Sequence, residues 1–382
     1  MKRILTSISL ALVALMVAPP VSATPSSYVL ISEPSHRGLD GVFFNDELAT
    51  ALKPEERLGN LVYAGPKANR SWIIDIALVD EVIAMSNGYE VAQPLDKTKK
   101  NPKRETLPGE GSSIAKAWLA ALKASVRRDP ISVLPYGSSA TSWLKGAAPS
   151  ELKFYISESI SRSEVFFGRS VSSVDSYPDQ PKANIPRQVQ DNYKLIRKQI
   201  AALSSVLPLD TLINYKLGIA GLANPSLNRS ELLNLSDIYS ADFAAFENKL
   251  RLIVGKYRVT SEREKIPITL VNDFDVELKI KLIVTPLNGK VSVTQIHNLT
   301  LLPKSKTQVV IPIRVLASGS TILLTQIKSE GGVLLKPPVQ LPLTLSVISP
   351  ITTWFTTGSA IILLLAGVVQ SVRRVKRKRV EK

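Results

Sequence analysis

Asp75, His36 and Asp40 are side chains of the types that carry out acid–base and metal chemistry. Asp75 lies in Ser71-Trp-Ile-Ile-Asp-Ile, an apolar run that reads as a strand, and barrel enzymes place catalytic groups at strand ends. Asp80 follows a little more than one helical turn later, and His36, Asp40 and Asp46 fall in one loop. A catalytic metal site needs carboxylates and histidines at ligand spacing. The chain has two histidines, His36 and His297, in different blocks, and neither H-x-x-x-H nor H-E-x-x-H occurs. On residue types alone the plainer reading is preferred. Asp75 caps the helix that follows it, and His36-Arg37-Gly38 forms a turn. No catalytic residue, metal ligand or cofactor is assigned, and Asp75, His36 and Asp40 remain the candidate positions.

Serine chemistry is no better supported. Ser113-Ile-Ala-Lys116 fits the S-x-x-K of penicillin-binding enzymes and opens a predicted helix, as that motif does. Ser142-Trp-Leu-Lys145 and Ser150-Glu-Leu-Lys153 fit equally well in a chain rich in Ser and Lys, and no K-T-G accompanies them. G-x-S-x-G, the P-loop and G-x-G-x-x-G are all absent.

The elements around these residues fall into blocks. From Ser26 to about Gly168, apolar runs at Tyr28-Val-Leu-Ile-Ser, Ser71–Ile76 and Ile131-Ser-Val-Leu-Pro-Tyr-Gly read as strands. Between them, Asn45–Leu61 reads as a helix broken at Pro54. Ala77–Met85 reads as a helix with Leu78, Val82 and Met85 on one face. Ser112 or Ser113 is expected to cap another through Val126. Strand–helix alternation implies parallel βα units. Gln93–Gly111 reads as a loop, and its Lys97–Arg104 charge run as solvated.

From Asn184 to Gly255 the chain reads as helical. Ile185, Val189, Tyr193, Ile196, Ile200, Leu203 and Leu207 make one apolar stripe, and Tyr239, Phe243, Phe246, Leu250 and Ile253 another, in a helix expected over Asp237–Val254. After Lys256 the period changes to two. Leu278, Ile280 and Leu282 alternate with Lys279 and Lys281. Val309, Ile311, Ile313 and Val315 repeat the pattern, as do Leu341, Leu343, Leu345 and Val347. Asn288-Gly289 is a hairpin signal, and Pro342 suggests an edge strand. This pattern is that of an immunoglobulin-like β-sandwich.

Both ends carry targeting signals. Lys2 and Arg3, the apolar run Ile4–Val17 and Val21-Ser22-Ala23 describe a secretory signal peptide. Ile351–Val372 supplies the roughly 20 apolar residues a membrane span needs. Trp354 and Phe355 are placed for one interface, and Arg373, Arg374, Lys376 and Arg377 for the other, on the cytoplasmic side. The chain has formal charge +16; without the two basic residues of the leader and the net six of the tail from Arg373, the exported part keeps +8. No basic stripe with interleaved aromatics marks a nucleic-acid partner. There is no cysteine, so an exported protein of this length must rely on its cores, and that length suggests two domains.

Four stretches carry a resemblance. They are Pro34-Ser-His-Arg-Gly-Leu-Asp-Gly-Val-Phe with Asp46-Glu-Leu; Trp72-Ile-Ile-Asp-Ile-Ala-Leu with Gly88-Tyr-Glu-Val; Leu134-Pro-Tyr-Gly; and Tyr257-Arg-Val-Thr-Ser-Glu-Arg with Ile266-Pro-Ile-Thr-Leu-Val-Asn. Through them the chain resembles an uncharacterised actinobacterial family of exported single-pass membrane proteins, whose genes often sit beside that of the lipid II flippase. The resemblance implies a divergent barrel or deacetylase-like α/β domain, then an Ig-like domain and a C-terminal span. In this chain about three barrel strands are evident.

The expected architecture is therefore a signal peptide over 1–23, then an exported α/β unit, a divergent or partial barrel with a helical segment, over 24–255. An Ig-like β-sandwich follows over 256–349, a transmembrane helix over 350–372 and a basic cytoplasmic tail over 373–382. The expected function is that of a non-catalytic, membrane-anchored cell-envelope protein in the plasma membrane, binding or scaffolding partners near the cell-wall precursor machinery. Its expected partners are membrane lipid, an envelope membrane protein with the lipid II flippase first, and cell-wall glycan, with no nucleic acid. The alternative is a carbohydrate-active or glycan-binding extracellular domain.

Overall fold

A computed structural model describes residues 27–65, 70–93, 105–294, 298–346 and 350–380, with side chains of the last helix described over 357–373. The leader over 1–23, the Lys97–Arg104 run, His297 and Val347 lie outside the described residues, as do the side chains of Trp354, Phe355, Arg374, Lys376 and Arg377.

The first half opens with β1 (Ser27–Ile31), α1 (Glu47–Ala51), α2 (Arg57–Tyr63), β2 (Arg70–Ile74) and α3 (Ile76–Ser86). The hairpin β3 (Glu90–Ala92) and β4 (Thr106–Pro108) follows, then α4 (Ser112–Ser125) and β5 (Ile131–Val133). A 3₁₀ turn at Tyr136–Ser138 leads to α5 (Thr141–Ala147), α6 (Pro149–Phe167) and β6 (Ser172–Ser173). Strands β1, β2, β5 and β6 form one sheet in that order, every neighbour parallel. Parallel strands laid down in sequence order, without the reversal of a doubly wound sheet, make a half-barrel. The three expected barrel strands are all present. The fourth, β6, gives no signal in the sequence, because Ser172 and Ser173 are polar and exposed; the Ser172 hydroxyl lies 2.9 Å from that of Ser132 on β5.

Helices α7 (Arg187–Leu203), α8 (Leu209–Gly218) and α9 (Arg229–Glu247) close this half, with a 3₁₀ turn at Ile219–Ala223. The stripe from Ile185 to Leu207 is buried throughout, as its spacing requires. Helix α9 starts eight residues earlier than expected, because Asn228 and Glu231 form a reciprocal capping box. It also ends earlier, at Glu247. Leu250–Ile253 is not helical but strand β7, paired antiparallel from Leu250↔Asn272 to Ile253↔Thr269. Leu250 and Ile253 matched a helical stripe because a spacing of three fits that stripe by chance. In the strand they face opposite ways, Leu250 buried and Ile253 49% exposed. Helix α4 also differs from expectation. Its N-cap is Gly111, with no capping hydrogen bond from a serine side chain.

The second half is a two-layer sandwich. Its strands are β7, β8 (Tyr257–Val259), β9 (Arg263–Asn272), β10 (Leu278–Pro286), β11 (Val291–Val293), β12 (Leu299–Leu301), β13 (Ser305–Val315), β14 (Gly319–Ser329) and β15 (Val339–Leu345). One sheet runs β12-β10-β14-β15-β8 and the other β11-β13-β9-β7. Leu278, Ile280, Leu282, Val309, Ile311, Ile313, Val315, Leu341, Leu343 and Leu345 all point into the core, as the alternation requires. Asn288-Gly289 lies at a turn, but not a hairpin one. Strand β10 pairs with β12 and β14, whereas β11 pairs with β13, so the turn carries the chain from one sheet to the other. Pro342 sits one residue before the segment of β15 that β8 covers, which begins at Leu343.

The last element is α10 (Pro350–Val380). Among the described residues no helix is long and apolar enough to cross a membrane.

Candidate functional site

The C-terminal ends of β1, β2 and β5 meet at the face where a barrel would carry its chemistry. Asp75 follows β2 directly and is fully buried. One carboxylate oxygen accepts from the Ala77 N–H at 3.0 Å and the Gly137 N–H at 3.0 Å. The other accepts from the Ser138 hydroxyl at 2.8 Å. Since Ser138 gives its one proton to Asp75, the Ser32 hydroxyl, 2.6 Å away, must donate to Ser138. Ser138 has φ +50°, a left-handed conformation that this network holds in place. Burial raises the Asp75 carboxyl to about 7, with its three hydrogen-bond donors opposing the rise. Asp75 is therefore the cap of α3 that the sequence suggested, and also the clasp between β2 and the turn after β5.

Beside it lies a small cleft of about 150 Å³, whose walls include Ser35, Arg37, Asp40, Glu81, Tyr136 and Tyr239. Its centre is Glu81, a buried carboxylate on α3. Glu81 accepts from the Ser35 hydroxyl at 2.5 Å and the His36 N–H at 3.0 Å, and the Arg37 guanidinium lies 3.9 Å away. Behind Tyr136, Asp80 accepts from its phenol at 3.0 Å and from Arg162 at 3.0 Å. Burial raises the Asp80 carboxyl, opposed by Arg162, and pushes the Tyr136 phenol well above its usual value.

The three candidates do not share one cleft. Asp40 lines the cleft around Glu81, where its carboxylate also accepts from the Val42 N–H at 3.0 Å in a local turn. His36 instead lines a larger groove of about 1060 Å³ between its own loop and α9, with Glu33, Arg57, Glu231, Asn234 and Asp242. Its Nε2 lies 3.8 Å from Glu33, which is paired with Arg57. Asp75 lines neither cavity. Among the described residues no group of three or more His, Asp or Glu side chains could hold a metal ion. The three S-x-x-K serines, Ser113, Ser142 and Ser150, are on exposed helix positions, as are their lysines. Lys145 pairs with Asp175 at 2.9 Å.

Sequence reasoning missed Glu81. A signal existed: Glu81 is three residues after Leu78 on the buried face of α3, so a carboxylate sits on an apolar stripe and must be satisfied from elsewhere. The cleft is lined by polar groups. It offers hydroxyl, carboxylate, guanidinium and phenol groups at short range, fitted to a small polar group.

Residues 254–379, about a third of the chain, match a family of unknown function (DUF6049). No curated protein matches the chain. Among solved structures, the native conformation of E. coli alpha-2-macroglobulin aligns at 17% identity and a TM-score of 0.21, over 25% of this chain and 6% of that one. WR4, a C. elegans MSP family member, aligns at 11% identity and a TM-score of 0.21, over 25% and 97%. The ASH/PapD-like domain 7 of human CEP192 aligns at 11% and 0.21, over 26% and 86%. The chain spans a small fraction of the macroglobulin's length.

Proposed function

We propose that this is a membrane-anchored cell-envelope protein that acts by binding and not by turnover. The observation that carries the reading is the dispersal of the candidate groups. Asp75 is sealed and committed to a structural clasp, while His36 and Asp40 line separate cavities. Anchoring is supported by α10. From Ile361 to Val372 eight apolar side chains are each more than half exposed, and a helix apolar all round belongs in a core or a membrane. Arg373 and the basic tail behind it support, by the positive-inside rule, a topology with the half-barrel and sandwich outside the cell. A tethered binder has a raised effective concentration for a membrane partner, so weak contacts suffice. The resemblance to the exported actinobacterial family makes the lipid II flippase the first partner to test.

The test is complementation of a strain lacking the protein. The double variant Asp75→Asn, His36→Gln is expected to function, and a version without residues 24–346 to fail. A double variant that is folded and exported yet inactive would move the assignment to catalysis. A second reading, a carbohydrate-active or glycan-binding, deacetylase-like domain, is favoured by the polar cleft around Glu81. It predicts that soluble wall-glycan fragments bind the exported part and that Glu81→Gln abolishes the binding.

A further inference from the structure

Residues 24–249 carry twenty-six basic and twenty-five acidic residues, whereas residues 250–346 carry thirteen and six. Seven of the eight net positive charges of the exported part therefore lie in the sandwich, the unit that precedes α10 in the chain.

The strand register sorts the sandwich into two ends. Leu345 is opposite Gly319, Val291 opposite Val315, and Arg314 opposite Arg263, so these residues mark one end. Phe274, Asn272 and Lys336 mark the other, and that end is occupied. The Phe274 ring lies 5.2 Å from that of Phe246 on α9, and the Lys336 ammonium donates to the Glu247 carbonyl at 3.2 Å and the Asn248 side chain at 3.0 Å. The first end is the one at which the chain leaves β15 on its way to α10. Three residues separate Ser346 from Pro350, a reach of at most about 15 Å over four Cα steps.

That end carries an uncommon combination of groups. Leu287 and Leu316, in the turns after β10 and β13, are 56% and 59% exposed. The two turns are tied together, the Leu316 N–H donating to the Lys290 carbonyl at 2.7 Å and the Thr321 hydroxyl to Asn288 at 2.8 Å. Arg263 and Arg314 oppose each other across β9 and β13, a like-charge pair that repels. Glu262 takes up one side of Arg314, at 2.9 Å. A shallow groove whose charged and hydroxyl walls are Arg263, Glu264, Lys265, Ser292, Thr294 and Arg314, three cations against one carboxylate, opens beside them.

We propose that this end of the sandwich docks on anionic lipid headgroups of the outer leaflet, with Leu316 and Leu287 in the interface and Arg263, Lys290 and Arg314 against the phosphates. The proposal rests on the reading that α10 is inserted in the membrane. Exposed apolar side chains beside cations are what an anionic interface binds, through buried apolar area and attraction to the lipid charge. Headgroup phosphate would also offset the Arg263–Arg314 repulsion. Docking would make the sandwich a fixed pedestal, setting the half-barrel at a constant height above the bilayer.

The chain has no cysteine, so single dyes can be placed cleanly. The full chain is reconstituted in vesicles with one dye at Leu316→Cys, at Gly331→Cys in the turn of the far end, or at Val368→Cys in α10. Quenching by spin-labelled lipid is then measured. In phosphatidylglycerol vesicles the dye at 316 is expected to be quenched by the headgroup label and the dye at 331 to be spared. Lys290→Gln should lower the docked-to-undocked ratio about fivefold, the worth of one basic residue near such a surface. Equal quenching at 316 and 331 while the dye at 368 is quenched by tail-labelled lipid overturns the docking and leaves the anchor standing. Equal docking in neutral phosphatidylcholine overturns the role of charge. A dye at 368 that escapes the tail label removes the anchor and the docking with it.

Discussion

Replacing Asp75 with Asn should change how stability depends on pH, and the structure gives the sign and the size. Burial holds the native carboxyl at about 7, against about 3.9 in an unfolded chain. A raised carboxyl favours the protonated form in the native state, so unfolding releases a proton between those values. The contribution to stability is full below about pH 4 and is lost as pH rises through 7. A shift of about three units corresponds to about 4 kcal/mol at most, at 1.36 kcal/mol per unit. Asn is neutral at every pH. Its carbonyl can keep the Ala77 and Gly137 donors, while its amide meets the Ser138 hydroxyl, which must then reverse its donation toward Ser32. That rearrangement costs about 1 kcal/mol. The wild type should therefore be slightly the more stable at pH 4, and the Asn variant the more stable at pH 8. Urea denaturation of the exported part, followed by fluorescence of the buried Trp72 and Trp118, measures the difference. A gap that stays constant within about 1 kcal/mol from pH 4 to 8 would refute the account.

Three other substitutions test the frame around the site. Ile280→Asp places an unpaired charge at a fully buried position and should abolish the cooperative transition of the sandwich, whereas Lys279→Asp on the exposed face should leave it within about 0.5 kcal/mol; calorimetry of both separates a correct register from a slipped one. Asn272 is buried; its two amide N–H groups lie against the carbonyls of Val276, Leu301 and Leu302 at 2.9–3.2 Å, one N–H being shared, while its carbonyl accepts from the Phe274 N–H at 3.0 Å. Asn272→Ala should cost about 2–3 kcal/mol in chemical denaturation, through the buried groups it leaves unsatisfied. Asn228→Ala removes the cap of α9 and should cost about 1 kcal/mol in the same assay; no change would mean that packing alone holds this end.

Local periodicity was enough to decide much of this protein. The alternation in β10, β13 and β15 named the inward side chains correctly, because a strand's period of two leaves no other assignment once one face is apolar. The stripe on α7 did the same at the helical period, and Asp75 at the end of a strand announced the cap it makes. Tertiary structure decided whatever depends on partners distant in sequence. Glu81 became the centre of the cleft through Ser35 and His36, on a loop more than forty residues away. Asp75 became a clasp through Gly137 and Ser138, more than sixty residues on. The turn at Asn288 carried the chain between sheets because β11 found β13, and Leu250 left a helix for a strand because β9 offered an open edge. The same separation holds for His36 and Asp40. Four residues apart in the sequence, they line different cavities, because Arg37 and Glu81 lie at the wall of the small cleft while α9 closes the larger one behind His36. A sequence states which side chains are near one another along the chain, and chemistry depends on which are near in space.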